Sequence, residues 1–323
     1  MNTDVSVIIP VFNGEAFVGR AIDSVLRQTH PATEIIVVDD GSTDGTAQAL
    51  ARFGDRIRVL HTPNRGVSSA RNSGFAASTG SLVAFLDADD EWYDDKLARQ
   101  LEVLARHPRS ALCCCDYVVQ NGTADDPQPQ PHPQSHFALV AARTGTRPDD
   151  WMRDPLAALV QGNVIGTTST VLVKRALLNT VGLFHSRYKQ AEDYDLWIRC
   201  ALVTEFVVMD EVLLKKIGHD GNLTNDQIET FLYHETVLGA HLAGRTFAAH
   251  GALQSAARLA LAQTRYQLAN LFYEARRYAE SGRYYLKALR TQASPRNVGL
   301  FLHYTSRKLV RTLSLGAIRA KAA

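Results

Sequence analysis

The sequence predicts an α/β protein built on a mostly parallel sheet with helices on both faces, followed by a helical C-terminal extension. Three observations carry that prediction. Apolar runs alternate with helical periodicities from Val5 to Leu86, joined by short connections. Parallel strands need such crossovers, because a tight hairpin cannot join them. Polar residues gather just after the apolar runs: Asn13, then Asp39 and Asp40, then Asn64 and Arg65, then Asp87 and Asp89. Open α/β sheets bind ligands beyond the carboxyl ends of their strands. From Asp226 onward the periodicity is helical throughout.

The elements follow in order. Val5 to Val11 is an apolar strand, and Gly14 to Gln28 has helical spacing through Phe17, Ala21, Val25 and Leu26. Glu34 to Val38 is a second strand, Thr43 to Phe53 a helix, Ile57 to His61 a third strand and Gly66 to Ala77 a helix. Ser81 to Leu86 is a fourth strand, and Asp94 to His107 the next helix. Ala111 to Gln120 is strand-like. Asn121 to Asp150 loses periodicity and holds five of the eleven prolines, which predicts a long irregular loop or lid. Asp154 to Val160 is helical, Ser169 to Val173 strand-like, and Arg175 to Thr180 a short helix. Glu192 to Leu202 is a helix that opens on Glu192, Asp193 and Asp195, and Phe206 to Met209 and Val212 to Ile217 are two short strands.

Charge is divided unevenly along the chain. The net charge of +2 combines fourteen Lys/Arg against five Asp/Glu from Asp226 to the end with a front part at −7. That asymmetry suggests two jobs and two regions, 1–225 and 226–323. Within Tyr266 to Leu289 a helix-turn-helix pair resembles a single tetratricopeptide-like unit, too little for a solenoid. Val298 to Ala323 interleaves apolar residues with Arg307, Lys308, Arg311, Arg319 and Lys321. This is the pattern of a basic amphipathic helix that lies on an anionic membrane surface or docks on the protein. The tail's basic residues are not interleaved as a stacking platform, so no nucleic-acid partner is expected. No apolar stretch is long enough to span a bilayer. Met1 to Asp4 has no basic leader, and the four cysteines, Cys113, Cys114, Cys115 and Cys200, lack zinc or disulfide spacing. A reducing cytoplasmic setting fits, with the protein free or peripheral on the inner face of the cytoplasmic membrane.

The most informative residues are Asp87 and Asp89, one residue apart at the end of the fourth strand. Like charges this close repel. A hard divalent cation, Mg²⁺ or Mn²⁺, relieves the conflict by taking carboxylate oxygens together with substrate phosphate oxygens. The plain alternative is a solvated acidic turn that caps the following helix.

Five segments taken together resemble the successive signatures of family 2 glycosyltransferases: Val5-Ser-Val-Ile-Ile-Pro-Val-Phe-Asn13, Val37-Val-Asp-Asp-Gly-Ser-Thr-Asp-Gly-Thr46, Asn64-Arg-Gly-Val-Ser-Ser-Ala-Arg-Asn72, Phe85-Leu-Asp-Ala-Asp-Asp90 and Ala191-Glu-Asp-Tyr-Asp-Leu-Trp197. Their order and spacing agree over roughly residues 4 to 220. The resemblance implies the GT-A fold, a nucleotide-sugar donor, a divalent metal and inversion at the anomeric carbon. It implies that Pro10 and Phe12 flank the base, with Asn13 and Glu15 beside it. Asp40 would accept a hydrogen bond from the uracil imide, with Asp39 as second candidate. Arg71 would reach the diphosphate or base. Asp87 and Ala88 would line the donor site, Asp87 touching the ribose or the metal's water shell, and Asp89 would ligate the metal. Inversion needs one base that takes the proton of the attacking hydroxyl. Asp193 holds that place by family position, with Glu192 as runner-up, although both carboxylates also suit a helix N-terminus for purely structural reasons. His219 is a candidate third contact to metal or diphosphate. Gly162, Asn163 and the cluster Thr167, Thr168 and Ser169 would face the acceptor, and Trp197 would either line the acceptor site or, as an inward aromatic of an amphipathic helix, belong to the core. One departure stands out: Lys215 and Lys216 occupy the place where the family commonly carries an aromatic-Arg pair before such a histidine.

The expected activity is therefore inverting transfer of a sugar from a UDP- or dTDP-sugar to a hydroxyl of a glycan or lipid-linked acceptor, in bacterial surface polysaccharide synthesis. Two other classes are weaker. A nucleotidyltransferase needs a Gly-rich, Lys/Arg-bearing loop near the N-terminus, which Pro10-Val-Phe-Asn-Gly-Glu15 does not provide. A non-catalytic nucleotide-sugar-binding scaffold has no need of intact acids at Asp87, Asp89 and Asp193. A dehydrogenase is weaker still, since no Gly-x-Gly-x-x-Gly follows the first strand.

Overall fold

The computed structural model describes residues 3–121, 128–130, 136–147, 150–152, 154–219, 226–249, 251–293, 298–299 and 302. The chain divides into two compact units, Met1–Leu223 and Thr224–Ala323.

The first unit runs β1 (Val5–Val11), α1 (Val18–Leu26), β2 (Glu34–Asp39), α2 (Thr46–Ala51), β3 (Arg58–His61), α3 (Val67–Ala77), β4 (Leu82–Phe85), β5 (Asp90–Trp92) and α4 (Lys96–Arg106). It continues with β6 (Leu112–Asn121), β7 (Gln128–Gln130), α5 (His136–Thr144), β8 (Asp150–Met152), α6 (Pro155–Val160), β9 (Val171–Lys174), α7 (Arg175–Val181), α8 (Glu192–Ala201) and β10 (Phe206–Gly218). The strands form one sheet in the order β3-β2-β1-β4-β9-β6-β10-β5, with β7 on β6 and β8 on β10. The β3-β2-β1-β4 half is parallel, as the alternation predicts. Beyond it the sheet is mixed: β9 lies antiparallel between β4 and β6, and β5 antiparallel to β10.

Burial explains the strands. Every residue of β1 is enclosed, since helices cover both faces of the sheet. Val18, Ala21, Ile22 and Val25 turn one stripe of α1 onto the same core. On the other face α3 comes unusually close. A Cβ at Gly74 would stand 2.4 Å from Ile8 Cγ2, so only glycine permits the approach. Cys113, Cys114, Cys115 and Cys200 are free and buried and act as small apolar residues.

Several local expectations are corrected. Asp90–Trp92 is a strand, not the lead-in to a helix. The stretch expected as an irregular loop contains β7, α5 and the start of β8, while 122–127, 131–135 and 148–149 lie outside the described residues. The two expected strands near residue 210 are one, β10, whose register shifts between Val208 and Leu214.

The second unit is helical: α9 (Gln227–Ala243), α10 (Gly251–Glu274) and α11 (Tyr278–Thr291). The expected helical pair is α10 and α11, reversed at Arg276 with φ of 60°. Ala269 and Tyr285 are buried between the pair, and Tyr285 Oη donates to Asn270 Oδ1 at 2.6 Å. The expected basic amphipathic helix, Val298 to Ala323, falls outside the described residues apart from 298, 299 and 302. Among the described residues, no helix is long and apolar enough to cross a membrane.

Candidate active site

The site forms where β4 ends. The Asp87 N–H donates to Ser169 Oγ at 3.0 Å, and the Asp90 N–H closes a turn onto the Asp87 carbonyl at 3.0 Å. The Asp87 carboxylate accepts from Arg71 Nη2 at 2.7 Å and from Thr168 Oγ1 at 3.2 Å, with Thr167 Oγ1 3.4 Å from its other oxygen. Burial would raise the Asp87 pKa, but the Arg71 guanidinium outweighs it and holds the carboxyl below its ordinary value.

Arg71 projects from α3 one turn before Gly74, so the close packing of α3 fixes its base. It is 4 % exposed. Its second arm, Nη1, donates to Glu192 Oε1 at 2.5 Å, and its guanidinium lies 5.2 Å from the Phe184 ring centroid. A buried guanidinium held by two carboxylates stays charged, because the attraction of Asp87 and Glu192 exceeds the cost of desolvation.

Ala191, with φ of 59° in the left-handed region, turns the chain into α8, whose first turn holds Glu192, Asp193 and Asp195. The helix N-terminus favours all three carboxylates. Asp195 is spent on structure: it pairs with Arg199 and His185, and Arg199 also donates to the Val181, Gly182 and Leu183 carbonyls. Asp193 is half-buried at the crevice. Its Oδ2 accepts from Asn163 Nδ2 at 3.1 Å and its Oδ1 from the Tyr194 N–H at 2.7 Å. Burial first and the nearby Asp87 second raise its pKa, against Arg71 and these hydrogen bonds. Glu192 is also raised, chiefly by burial.

Asp89 points to the other side of the turn. Its Oδ2 lies 2.9 Å from His219 Nε2, and the imidazole stacks on Phe17 with centroids 4.5 Å apart. One carboxylate oxygen and one imidazole nitrogen suit Mn²⁺ or Mg²⁺ if phosphate oxygens and water complete the shell. Among the described residues no three His, Cys, Asp or Glu side chains converge on one point, so such an ion would depend on the substrate for its remaining ligands.

The opposite lip is a clasp between the β1–α1 and β2–α2 loops. The Asn13 N–H donates to Ser42 Oγ at 2.9 Å, and Asn13 Oδ1 accepts from the Thr43 N–H at 2.8 Å. Glu15 Oε2 accepts from the Gly45 N–H at 2.6 Å. The Asp39 carboxylate accepts from the Ser42 N–H at 2.9 Å and lies 3.1 Å from His61 Nδ1. The Asp40 carboxylate receives Thr62 Oγ1 and the Arg65 and Gly66 N–H groups, at 2.7 to 3.1 Å, which fastens the start of α3 to the end of β2. Phe12 is 51 % exposed beside this clasp and offers a free aromatic face.

The structure therefore brings Arg71, Asp87, Glu192, Asp193 and Asn163 into one connected group and joins Asp89 to His219. Ala88 is half-buried between the two carboxylates, and Gly162, with φ of 145°, precedes Asn163. Three expected contacts need correction. Trp197 is 0 % exposed in the core and does not line an acceptor surface. Thr168 turns to Asp87. Pro10 is enclosed within β1 and offers no surface to a ligand. Thr167 and Ser169, expected towards the acceptor, instead contact Asp87; the sequence reading gave no role to Asp90 or to the site side of Lys216. For Lys216 a signal existed: a pair of lysines in an otherwise apolar strand sends its two side chains to opposite faces.

Comparison with known proteins adds the following. Residues 6–182 match the family described as Glycosyl transferase family 2. A Rickettsia typhi protein described as an uncharacterized glycosyltransferase is 31 % identical over 240 residues, which is 74 % of this chain and 71 % of that protein. TuaG of Bacillus subtilis, named as a teichuronic acid biosynthesis glycosyltransferase, is 44 % identical over 127 residues, 38 % of this chain and 50 % of TuaG. Among solved structures, S. aureus TarS 1–349 in complex with UDP superposes with a TM-score of 0.59 at 20 % identity, over 94 % of this chain and 87 % of that one. The mannosyltransferase PcManGT from Pyrobaculum calidifontis, in complex with GDP-Man and Mn²⁺, gives 0.59 at 18 % identity over 94 % and 80 %.

Proposed function

Since this chain belongs to glycosyl transferase family 2 and has the GT-A fold, we propose that it moves a sugar, with inversion, from a UDP- or dTDP-sugar to a hydroxyl of a glycan or lipid-linked acceptor in bacterial surface polysaccharide synthesis. The observation that carries this reading is the Asp193–Asn163 contact next to the Arg71-bridged pair of Asp87 and Glu192. It sets a carboxylate of raised pKa beside the end of the donor strand. The base stacks on Phe12, and the ribose and sugar-phosphate lie along Asp87 and Ala88. Asp89 and His219 would hold a divalent ion, which would supply charge neutralisation at the leaving diphosphate.

The chain's own residues do the rest. Asp193 accepts the proton of the acceptor hydroxyl as its oxygen forms the new bond to the anomeric carbon. The bond from that carbon to the phosphate oxygen breaks on the opposite side, and its electron pair leaves with the nucleoside diphosphate. A carboxylate of raised pKa is the better base for this step, being closer to the operating pH. Asn163 and the Tyr194 N–H hold one oxygen each and fix the orientation of the carboxylate. Arg71 already occupies Glu192, so Glu192 is the positioning partner and Asp193 the base. The basic pattern of Val298 to Ala323 favours an acceptor met at the inner face of the cytoplasmic membrane.

The test is calorimetric titration with UDP, dTDP and GDP, each with Mn²⁺ and with EDTA, followed by a transfer assay on the nucleotide that binds. Binding of one nucleotide that needs Mn²⁺ supports the reading. Absence of binding by all three sinks it.

A further inference from the structure

Trp92, Lys96 and Gln100 form a buried polar group that the chemistry described above does not use. Lys96 and Gln100 stand one turn apart on α4, and both are 0 % exposed. Lys96 Nζ donates to Gln100 Oε1 at 2.7 Å and lies 4.0 Å from the Trp92 ring centroid. Among the described residues no carboxylate pairs with this ammonium. The other ends of the group reach one short stretch. Gln100 Nε2 donates to the Thr170 carbonyl at 2.8 Å, and Trp92 Nε1 to the Ser169 carbonyl at 2.9 Å. The hydroxyls of the same stretch serve Asp87: Ser169 Oγ accepts the Asp87 N–H, and Thr167 and Thr168 reach its carboxylate. Thr170 Oγ1 closes the stretch on itself by donating to the Thr167 carbonyl at 2.8 Å. The buried group thus holds the carbonyls, and the hydroxyls hold the acid.

Gln100 can serve only one way round. An ammonium has donors and no acceptor, and a carbonyl accepts and cannot donate. A glutamine set between them must turn Oε1 to Lys96 and Nε2 to Thr170. Lys96 therefore fixes the amide from behind. Its removal leaves Oε1 buried without a donor, which favours turning the amide away from Thr170.

We propose that Lys96 and Gln100 are positioning residues for Asp87: they hold the carbonyls of residues 169–170 so that the hydroxyls of Thr167, Thr168 and Ser169 meet the acid in one geometry. Nucleotide affinity is thereby set in part from inside the core. The nucleotide half of this statement rests on the function proposed above; the placement of Asp87 does not.

The experiment is hydrogen–deuterium exchange of the full chain, read by mass spectrometry with fragmentation to single amides, at Asp87 relative to β1. The wild type is compared with Gln100→Glu, Lys96→Met, Ser169→Ala and the double variant Gln100→Glu/Ser169→Ala. Gln100→Glu keeps an acceptor for Lys96 and loses the donor to Thr170, so it separates positioning from support of the core. Exchange at Asp87 should accelerate about tenfold relative to β1 in Gln100→Glu and in Lys96→Met, as expected for one lost hydrogen bond. Ser169→Ala should do the same directly, and Gln100→Glu should add less than about twofold to it, since both act through one contact. Affinity for UDP, dTDP or GDP with Mn²⁺ should fall about tenfold in Gln100→Glu. Wild-type exchange at Asp87 in a folded Gln100→Glu, acceleration no greater than that of β1, or full additivity with Ser169→Ala overturns the proposal. Failure of both Gln100→Glu and Lys96→Met to fold also overturns it, because the pair would then serve the core alone; if one folds, it decides. Unchanged nucleotide affinity despite faster exchange overturns the nucleotide half. If no nucleotide binds the wild type, the function proposed above fails, and exchange still decides the placement of Asp87.

Discussion

Arg71 and Glu192 lie 121 residues apart in the chain and meet at 2.5 Å. Through that contact one guanidinium ties α3 to the first turn of α8 while its other arm holds Asp87. The end of β4 and the first turn of α8 therefore share one buried cation.

Removing that cation should be costly. Arg71→Met leaves two buried carboxylates uncompensated, and losing one partner of a buried ion pair typically destabilises by about 3–5 kcal/mol. Urea unfolding followed by circular dichroism checks this. A loss under about 1 kcal/mol would show that water reaches the site and the pair is not structurally required.

Asp193→Asn keeps the shape of the side chain and removes the base. Nucleotide affinity should stay within about twofold, while kcat falls by roughly 10²- to 10⁴-fold, the usual worth of a positioned base. The wild type should also show an acid limb in kcat. Asp193 works when ionised and its pKa is raised, so activity should climb with pH above the ordinary carboxylate range and flatten once the group is deprotonated. Full transfer by Asp193→Asn rules out the assignment.

Gly74 sets the depth of α3. Gly74→Ala drives a Cβ to 2.4 Å from Ile8 Cγ2, so α3 must lift from β1. Overpacking of this kind costs about 1–3 kcal/mol, and it should lower transfer as well, because Arg71 rides on the same turn. Thermal unfolding and initial rates, measured on the same preparation, check both.

Lys96 offers a pH test on stability alone. It is wholly buried, with Nζ 2.7 Å from Gln100 Oε1 and 4.0 Å from the Trp92 ring centroid, and desolvation lowers its pKa to about 8 from 10.5. The unfolded chain binds that proton more tightly, so this group destabilises the fold most below about pH 8. The burden lifts as pH rises from about 8 towards 10.5. Subtracting the stability of Lys96→Met from that of the wild type should reveal a rise of about 1–3 kcal/mol across that window. A flat difference would mean Lys96 is solvated.

The parallel half of the sheet was legible in the sequence because strand and helix periods alternate there without interruption. The acids at its strand ends were legible for the same reason. The positions of β5, β7 and β8 were not: three residues carry no period, and such strands exist only because a neighbour offers an edge. Nor was the direction of β9, which is decided by pairing with β4 and β6 on either side. Within the site, Asp89 and His219 were read separately as candidate contacts of one ion, and their direct meeting was not legible. Nor was the attachment of Thr167 and Thr168 to Asp87, since hydroxyls preceding a strand look like ordinary turn residues until β9 is placed.

One stretch reaches both ends of the chemistry. Asn163 holds Asp193, and Thr167, Thr168 and Ser169 hold Asp87. Between them lie only three residues, one of them Gly166 with φ of 82°. Anyone grafting a new acceptor preference onto this scaffold faces a tether: exchanging residues 163–169 as a loop would detune the donor acid along with the base. Diversity in what the enzyme glycosylates has freer room elsewhere around the crevice, and chimeras should place their junctions on either side of this segment, never within it.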